Sequence, residues 1–365
     1  MTPVYTGQAG GAAVYYQRLT SELSDLGVPL TVVSERVSTE MAREIEARKI
    51  EYIGLFPQRA SKDRRIIRDV FDYGLQNLAY GEIPKIVQRR PDVGVVLVHT
   101  SFLNSWGIFG RTLRQIDKLR LPGCRLIGDC RDKQLGLSAG KVLEHFDQII
   151  SCSSNVSEHL RRLGVADGKI RGVAVIQETL ACDPTAGRQW LAREGVTGSP
   201  VIFYPGLVKS NKGIGILIDA FVRVVRPKFP DSRLVLMGLW KARGSEWDWI
   251  RQPNSHGVHY FPAAERQLVL DVMGGADLVV NASPDEGMPR SCLEAIEVGA
   301  RVLLPDCVPE FRHYCGDWVI QEREAESVGE QMLDLLERDD RPNYDLGQHR
   351  PDVVMSEYMK LFGLD

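Results

Sequence analysis

Several signatures of common function classes are missing from this chain. Its seven cysteines (Cys124, Cys130, Cys152, Cys182, Cys292, Cys307 and Cys315) include no Cys-x-x-Cys pair. Their odd number and wide spacing argue against a zinc module or a disulfide framework, and for reduced thiols in a cytoplasmic protein. No apolar run is long enough to span a bilayer. No charged segment followed by an apolar core opens the chain, so no secretory leader is visible. The early glycines Gly7, Gly10 and Gly11 do not keep the G-x-G-x-x-G spacing of a dinucleotide loop. No Ser-His-Asp or Cys-His arrangement points to a nucleophile, and no Asp-x-Asp closes a strand as a metal site would. Strong charge of one sign is lacking too, since the formal net charge is −3. The balance is uneven: the first 198 residues are modestly basic and the remainder acidic. A basic first half suits an anionic surface or a phosphate-bearing partner, and equally suits solvated helix faces.

What is present describes a globular α/β protein. At 365 residues, 44% hydrophobic and 25% charged, the chain is long enough for two domains with separate cores. Apolar runs ending at loops alternate with helical patterns throughout. After Gly10 and Gly11 come apolar residues at Val14, Leu19, Leu23 and Leu26, then Gly27 and a strand from Leu30 to Val33. Only Met1 to Tyr5 precede that glycine loop, little for a first strand. Gln58 to Arg68 is basic and leads into an amphipathic pattern through Leu75, which fits either core packing or an anionic membrane face.

Pro91 to Val98 reads as a buried parallel strand with His99 at its carboxyl end, where open α/β sheets bind ligands. Arg125 to Asp132 is the next strand and loop; Asp129 and Arg131 are either an acceptor contact or a surface ion pair. The hydroxyls of Ser151, Ser153 and Ser154 are set to cap a helix over Val156–Leu163. A linker is expected over 183–200, with a domain boundary near 195. A second strand–helix series starts at Val201 and leads to Gly206-Leu207-Val208-Lys209-Ser210-Asn211-Lys212-Gly213. Lys212 at a helix start is electrostatically odd unless an anion binds there. Trp240, Trp247 and Trp249 are either packing residues or sugar-stacking faces.

The most informative stretch is Ser283-Pro284-Asp285-Glu286-Gly287-Met288-Pro289-Arg290-Ser291-Cys292-Leu293-Glu294-Ala295. It follows the apolar run Asp277–Ala282 and precedes a helical pattern ending at Gly299. Two glutamates eight positions apart therefore flank a strand-to-helix turn. Carboxylates accept from sugar and ribose hydroxyls, and the unpaired amides of Met288 to Ser291 suit phosphates.

This text resembles the E-x7-E motif of retaining GT-B glycosyltransferases of sequence family 4, the glycosyl transferases group 1. Gly206 to Gly213 is similar to that family's G-R-x-x-x-x-K-G, with Leu207 where the arginine is expected. The resemblance implies two Rossmann-like domains with parallel sheets facing across a cleft: 1–195 for the acceptor, 196–345 for the donor, and 346–365 as a helix crossing back to the first. It implies a UDP- or GDP-linked sugar as donor and a glycan, lipid-linked or small-molecule hydroxyl as acceptor, with no metal or cofactor and no nucleic acid. Peripheral contact with the inner membrane face is compatible with it, and the oligomeric state is left open.

By the same resemblance, Glu286, His99 and Lys212 are the candidate catalytic residues. Gly10, Gly11, Gly206, Lys209, Phe261, Pro262, Gly287, Met288, Pro289, Arg290, Ser291 and Glu294 are donor-site candidates, with Lys209 a stand-in for the missing arginine. Asp129 and Arg131 are acceptor candidates. A GT-B protein that has lost transfer and serves as a binding module is the main alternative. A nucleotide-sugar epimerase and a Rossmann dehydrogenase follow behind it.

Overall fold

A computed structural model describes residues 11–34, 39–54, 82–90, 92–100, 116–133, 135–136, 139–241, 250 and 256–364. The expected strand at Met1–Tyr5, Gly10, the basic segment 58–68 with its amphipathic continuation, Trp247 and Trp249 lie outside the described residues. The chain divides into two units, Met1–Ile176 with His349–Asp365, and Gln177–Gln348.

In the first unit, β1 (Thr31–Ser34) pairs in parallel with β2 (Glu51–Gly54). A separate four-stranded parallel sheet runs in the order β3 (Val95–His99), β4 (Arg125–Cys130), β5 (Gln148–Ser151), β6 (Ile170–Gly172). Ile127, Ile149 and Ile150 are fully buried, as near-continuous apolar strands covered on both faces should be. The helix Gly11–Asp25 buries Tyr15, Tyr16, Leu19 and Leu23. That stripe corrects the expected one, because Leu26 lies past the helix end and is 52% exposed. The helix Ser154–Arg162 starts after Ser153, whose hydroxyl bonds Asn155 Oδ1 and does not cap the helix.

The C-terminal helix Pro351–Phe362 belongs to this first unit. Arg125 Nη1 donates to Leu361 O at 2.9 Å, and His349 Nδ1 lies 2.8 Å from Val175 O.

The second unit holds a five-stranded parallel sheet, β11-β10-β7-β8-β9. Its strands are β7 (Val201–Pro205), β8 (Arg233–Met237), β9 (Val258–Phe261), β10 (Leu278–Val280) and β11 (Val302–Leu303). The chain winds outward from β7 to β9 on one side, then returns to β10 and β11 on the other. The strand order therefore reverses between β7 and β10, and ligands of open α/β sheets bind at the carboxyl ends of such a switch point.

The boundary at Ile176/Gln177 is earlier than the expected 195, and residues 183–200 are not a simple linker. Pro184–Arg193 is a helix, capped by Asp183 Oδ1 accepting from Thr185 N and Ala186 N at 2.9 and 3.0 Å. It packs closely on the helix Arg266–Gly275, since a Cβ added at Gly187 would come within 2.1 Å of Asp271 O. That contact assigns the segment to the second unit. Among the described residues no helix is long and apolar enough to cross a membrane.

Candidate active site

The two informative motifs of the second unit meet at its switch point. β7 ends at Pro205, and the chain turns through Gly206 into a short 3-10 turn, Ser210–Lys212. The helix Ile214–Ala220 follows. β10 ends at Val280, and the chain turns through Ser283–Pro289 into the helix Arg290–Glu297. Lys212 Nζ donates to Glu286 Oε1 at 2.6 Å, with side-chain exposures of 26% and 17%.

Local chemistry holds both turns. Asn281 Oδ1 accepts from Ser283 N at 3.0 Å, a side-chain turn of the kind asparagine favours. Ser283 Oγ donates to Asp285 O at 3.2 Å. Arg323 donates to Ala282 O at 3.0 Å and Ser283 O at 2.8 Å, and pairs with Asp306. Gly213 sits against the same Ala282 carbonyl with φ +71°, and an added Cβ there would lie 2.0 Å from that oxygen. Tyr204 OH donates to Leu207 O at 3.0 Å. Burial, and secondly the Glu286 charge, push the Tyr204 phenol up. The same two causes push the Cys292 thiol up, so it stays protonated and is a poor nucleophile.

The second glutamate is held differently. Glu294 Oε1 accepts from Arg266 Nη2 at 3.0 Å and from Arg290 Nη2 at 3.3 Å. Arg266 Nη1 donates to Glu178 Oε2 at 2.8 Å. Gly287, Met288 and Pro289 are buried, Ser291 is half-buried, and Pro289 is the N-cap of the helix. Lys209 is exposed. Gly206 N donates to Met237 O at 2.9 Å, so its amide is spent on the sheet. Phe261 O likewise accepts from Gly238 N at 3.1 Å, while the Phe261 ring meets Trp190 edge-on and Pro262 is exposed. Trp240 also packs edge-on against a neighbour, the Tyr260 ring.

In the first unit, Gly11 opens its helix and His99 ends β3. His99 is 4% exposed, edge-on to Tyr16 at 5.0 Å between centroids. Burial lowers its pKa, only partly opposed by Asp129 and Asp132, so the ring is held neutral.

Asp129 and Arg131 depart from the expected exposed pair. Asp129 is 0% exposed. Its Oδ1 lies 2.6 Å from Arg131 Nε, and its Oδ2 accepts from Tyr16 OH at 2.8 Å and Tyr358 OH at 3.3 Å. Arg131 donates to Tyr15 OH at 2.6 Å, Tyr358 OH at 2.5 Å and Val173 O at 3.1 Å, and lies over the Tyr15 ring. These groups are consumed in binding the C-terminal helix to β4 and the first helix. They are an internal tie, not a surface for an acceptor. Burial holds the Tyr15, Tyr16 and Tyr358 phenols well above their ordinary pKa, so all three remain protonated.

A model of the family described as glycosyl transferases group 1 matches residues 189–346, within the second unit. No curated protein matches by sequence. HepE of Anabaena, solved with UDP and glucose, aligns with a TM-score of 0.72 at 13% identity, covering 99% of this chain and 98% of that one. A glycosyltransferase of Rickettsia africae gives 0.67 at 14% identity, covering 99% and 96%. The lipopolysaccharide outer core galactosyltransferase WaaB, in its apo form, gives 0.60 at 14% identity, covering 99% and 95%. The chain has the GT-B fold.

Within this GT-B protein, Arg266, Arg323 and Asn281 were not singled out from the sequence. Asn281 could have been, since a strand-ending asparagine two residues before a serine is a turn signal. Arg266 and Arg323 carried no local signal. Their partners in the 282–294 stretch lie 28 residues from Arg266 and 41 and 40 residues from Arg323. Among the described residues no group of three or more His, Cys, Asp or Glu side chains is arranged to hold a metal ion.

Proposed function

We propose that this chain is a retaining glycosyltransferase that moves a sugar from a UDP- or GDP-linked donor to a hydroxyl of a glycan, lipid-linked or small-molecule acceptor. The observation that carries the reading is the Lys212–Glu286 pair at the switch point of the second unit. Beside it stand the start of the helix Arg290–Glu297 and a carboxylate eight positions beyond Glu286. A cation, a helix N-terminus and two separated carboxylates are the complement of a diphosphate flanked by two polyols. The family match over 189–346 and the UDP and glucose bound by HepE support the same reading.

In this reading Lys212 and the helix amides stabilise charge on the departing diphosphate. When the diphosphate takes Lys212, Glu286 is released to accept from hydroxyls of the donor sugar. Glu294 accepts from the ribose. The acceptor attacks from the leaving-group side, and the departing phosphate oxygen takes its proton. The protein then contributes positioning and electrostatics and forms no covalent intermediate. Protonated Cys292 and neutral His99 fit that division of labour.

A binding module without transfer is the second reading, favoured by Leu207 in place of the usual arginine. The deciding experiment offers a panel of UDP- and GDP-sugars with cell-extract acceptors and follows new glycosides by mass spectrometry. Donor-dependent product supports transfer; thermal stabilisation by UDP or GDP with no product under any pairing supports the module. Glu294→Ala should weaken nucleotide binding by roughly tenfold or more, because a charge-assisted hydrogen bond contributes about 1.5–3 kcal/mol. Wild-type UDP and GDP affinity in that variant would remove the assignment of Glu294.

A further inference from the structure

The arrangement around Glu294 is more specific than a carboxylate waiting for a ligand. Arg266 and Arg290 reach it from different helices, and both bind Oε1. Neither takes Oε2. Arg266 is itself fixed at its other terminal nitrogen by Glu178. The terminal torsion of a glutamate is broad and roughly two-fold when nothing restrains it. Two donors on one oxygen restrain that torsion and leave Oε2 outside both arginine bonds. Two arginines facing two carboxylates leave no formal charge over. The group therefore supplies orientation, and supplies no net attraction for phosphate.

We propose that Arg266 is a positioning residue which, with Arg290, presents Glu294 Oε2 to a vicinal diol and so makes the site select ribonucleotides over deoxyribonucleotides. The inference rests on the nucleotide-sugar reading above and extends it to two residues that reading did not use. A carboxylate oxygen has acceptor capacity for two hydroxyls, which the 2′- and 3′-OH of a ribose supply together. A ligand lacking one of them leaves a desolvated acceptor unmatched, and sites built around a hydroxyl reject the analogue without it. If the carboxylate turns freely, it can recover that loss by rotating toward water, and the discrimination shrinks. Arg266 is 41% exposed on its side chain. An ion pair so exposed adds little to stability, so its removal should leave the fold intact while loosening the carboxylate, which then keeps only the longer Arg290 bond at 3.3 Å.

The test is calorimetric titration of UDP, 2′-deoxy-UDP and 3′-deoxy-UDP into the wild type, Arg266→Gln and Arg266→Lys, with GDP and its deoxy forms in parallel. The wild type should prefer the ribonucleotide by roughly tenfold or more. In Arg266→Gln that ratio should fall to about threefold or less, through stronger deoxynucleotide binding as well as weaker ribonucleotide binding. Arg266→Lys keeps a charge but cannot fork between Glu178 and Glu294, and should lie between the two. Should the glutamine variant fail to fold, the lysine variant carries the same comparison. A parallel loss of ribo- and deoxynucleotide affinity in the variants, with the ratio kept, would mean a merely structural arginine and overturn the proposal. Nucleotide binding by the wild type with no ribose preference would overturn it too, leaving the donor-site reading standing. A wild type that binds no nucleoside diphosphate would overturn both.

Discussion

Gly213→Ala tests whether the two turns of the donor site are built against one another. Gly213 has φ +71°, in the left-handed region, and an added Cβ would lie 2.0 Å from Ala282 O and 2.6 Å from its carbonyl carbon. No side chain can yield there, because the obstacle is backbone. The left-handed conformation alone costs about 1–2 kcal/mol for an alanine. Forcing the 282 turn away from the 213 turn adds about 1–3 kcal/mol of overpacking strain. The same displacement should pull Glu286 from Lys212, which are now 2.6 Å apart, and so weaken donor binding as well as stability. The chain contains its own control. Gly299 has nearly the same φ, +70°, but no atom lies within 4 Å of its added Cβ. Gly299→Ala should therefore cost only the conformational share. Urea denaturation followed by tryptophan fluorescence would chiefly read the second unit, since five of the six tryptophans fall within 177–348, and titration of UDP would read the site. Equal destabilisation by the two substitutions, or a Gly213→Ala protein with unchanged nucleotide affinity, would refute the argument.

The remaining predictions concern the charged groups. Asp129→Asn should destabilise the first unit by about 3–5 kcal/mol, the usual cost of stranding a buried charge, here Arg131; a stable variant with a raised acceptor KM would instead restore Asp129 as an acceptor contact. Lys212→Ala should reduce affinity for UDP far more than for uridine, and the salt dependence of UDP binding should flatten with it; equal losses for both ligands would remove Lys212 from the diphosphate. For His99 the sign follows from burial. Its folded pKa lies below the ordinary value of 6.5, so below about pH 6.5 the unfolded state binds the extra proton and stability falls with pH until the folded pKa is passed. His99→Gln should lose less stability than the wild type between about pH 7 and pH 5, measured by thermal denaturation; parallel curves would mean that His99 titrates normally.

Much of this architecture is legible locally. Val95–His99, Arg125–Cys130 and Val201–Pro205 are apolar runs with loop residues behind them, and each is a parallel strand. The Glu286–Glu294 stretch reads as a strand-to-helix turn because an apolar run precedes it and a helical period with a terminal glycine follows, and it is one. Strand endings and helix starts depend on nearby residues, which is why pattern reading reaches them. The domain boundary was less legible. A polar stretch beginning at Asp183 looks like linker until Gly187 is seen against the Asp271 carbonyl.

Other features were decided only by the folded chain. Asp129 and Arg131 stand two apart and look like any exposed ion pair. They are buried because Tyr358, 229 residues on, and Tyr16, 113 residues back, close over them. The order β11-β10-β7-β8-β9 has no local code, since each parallel crossover is a long connection that could lead to either side of β7. That order alone brings Lys212 to Glu286 across 74 residues, and Arg266 to Glu294 across 28. Which residues stand at strand ends follows from local sterics and hydrophobic period, and is legible in the chain before it folds. Which of those ends share a site was left to tertiary structure, because contacts between distant turns depend on strand order, and strand order is set by packing the whole sheet.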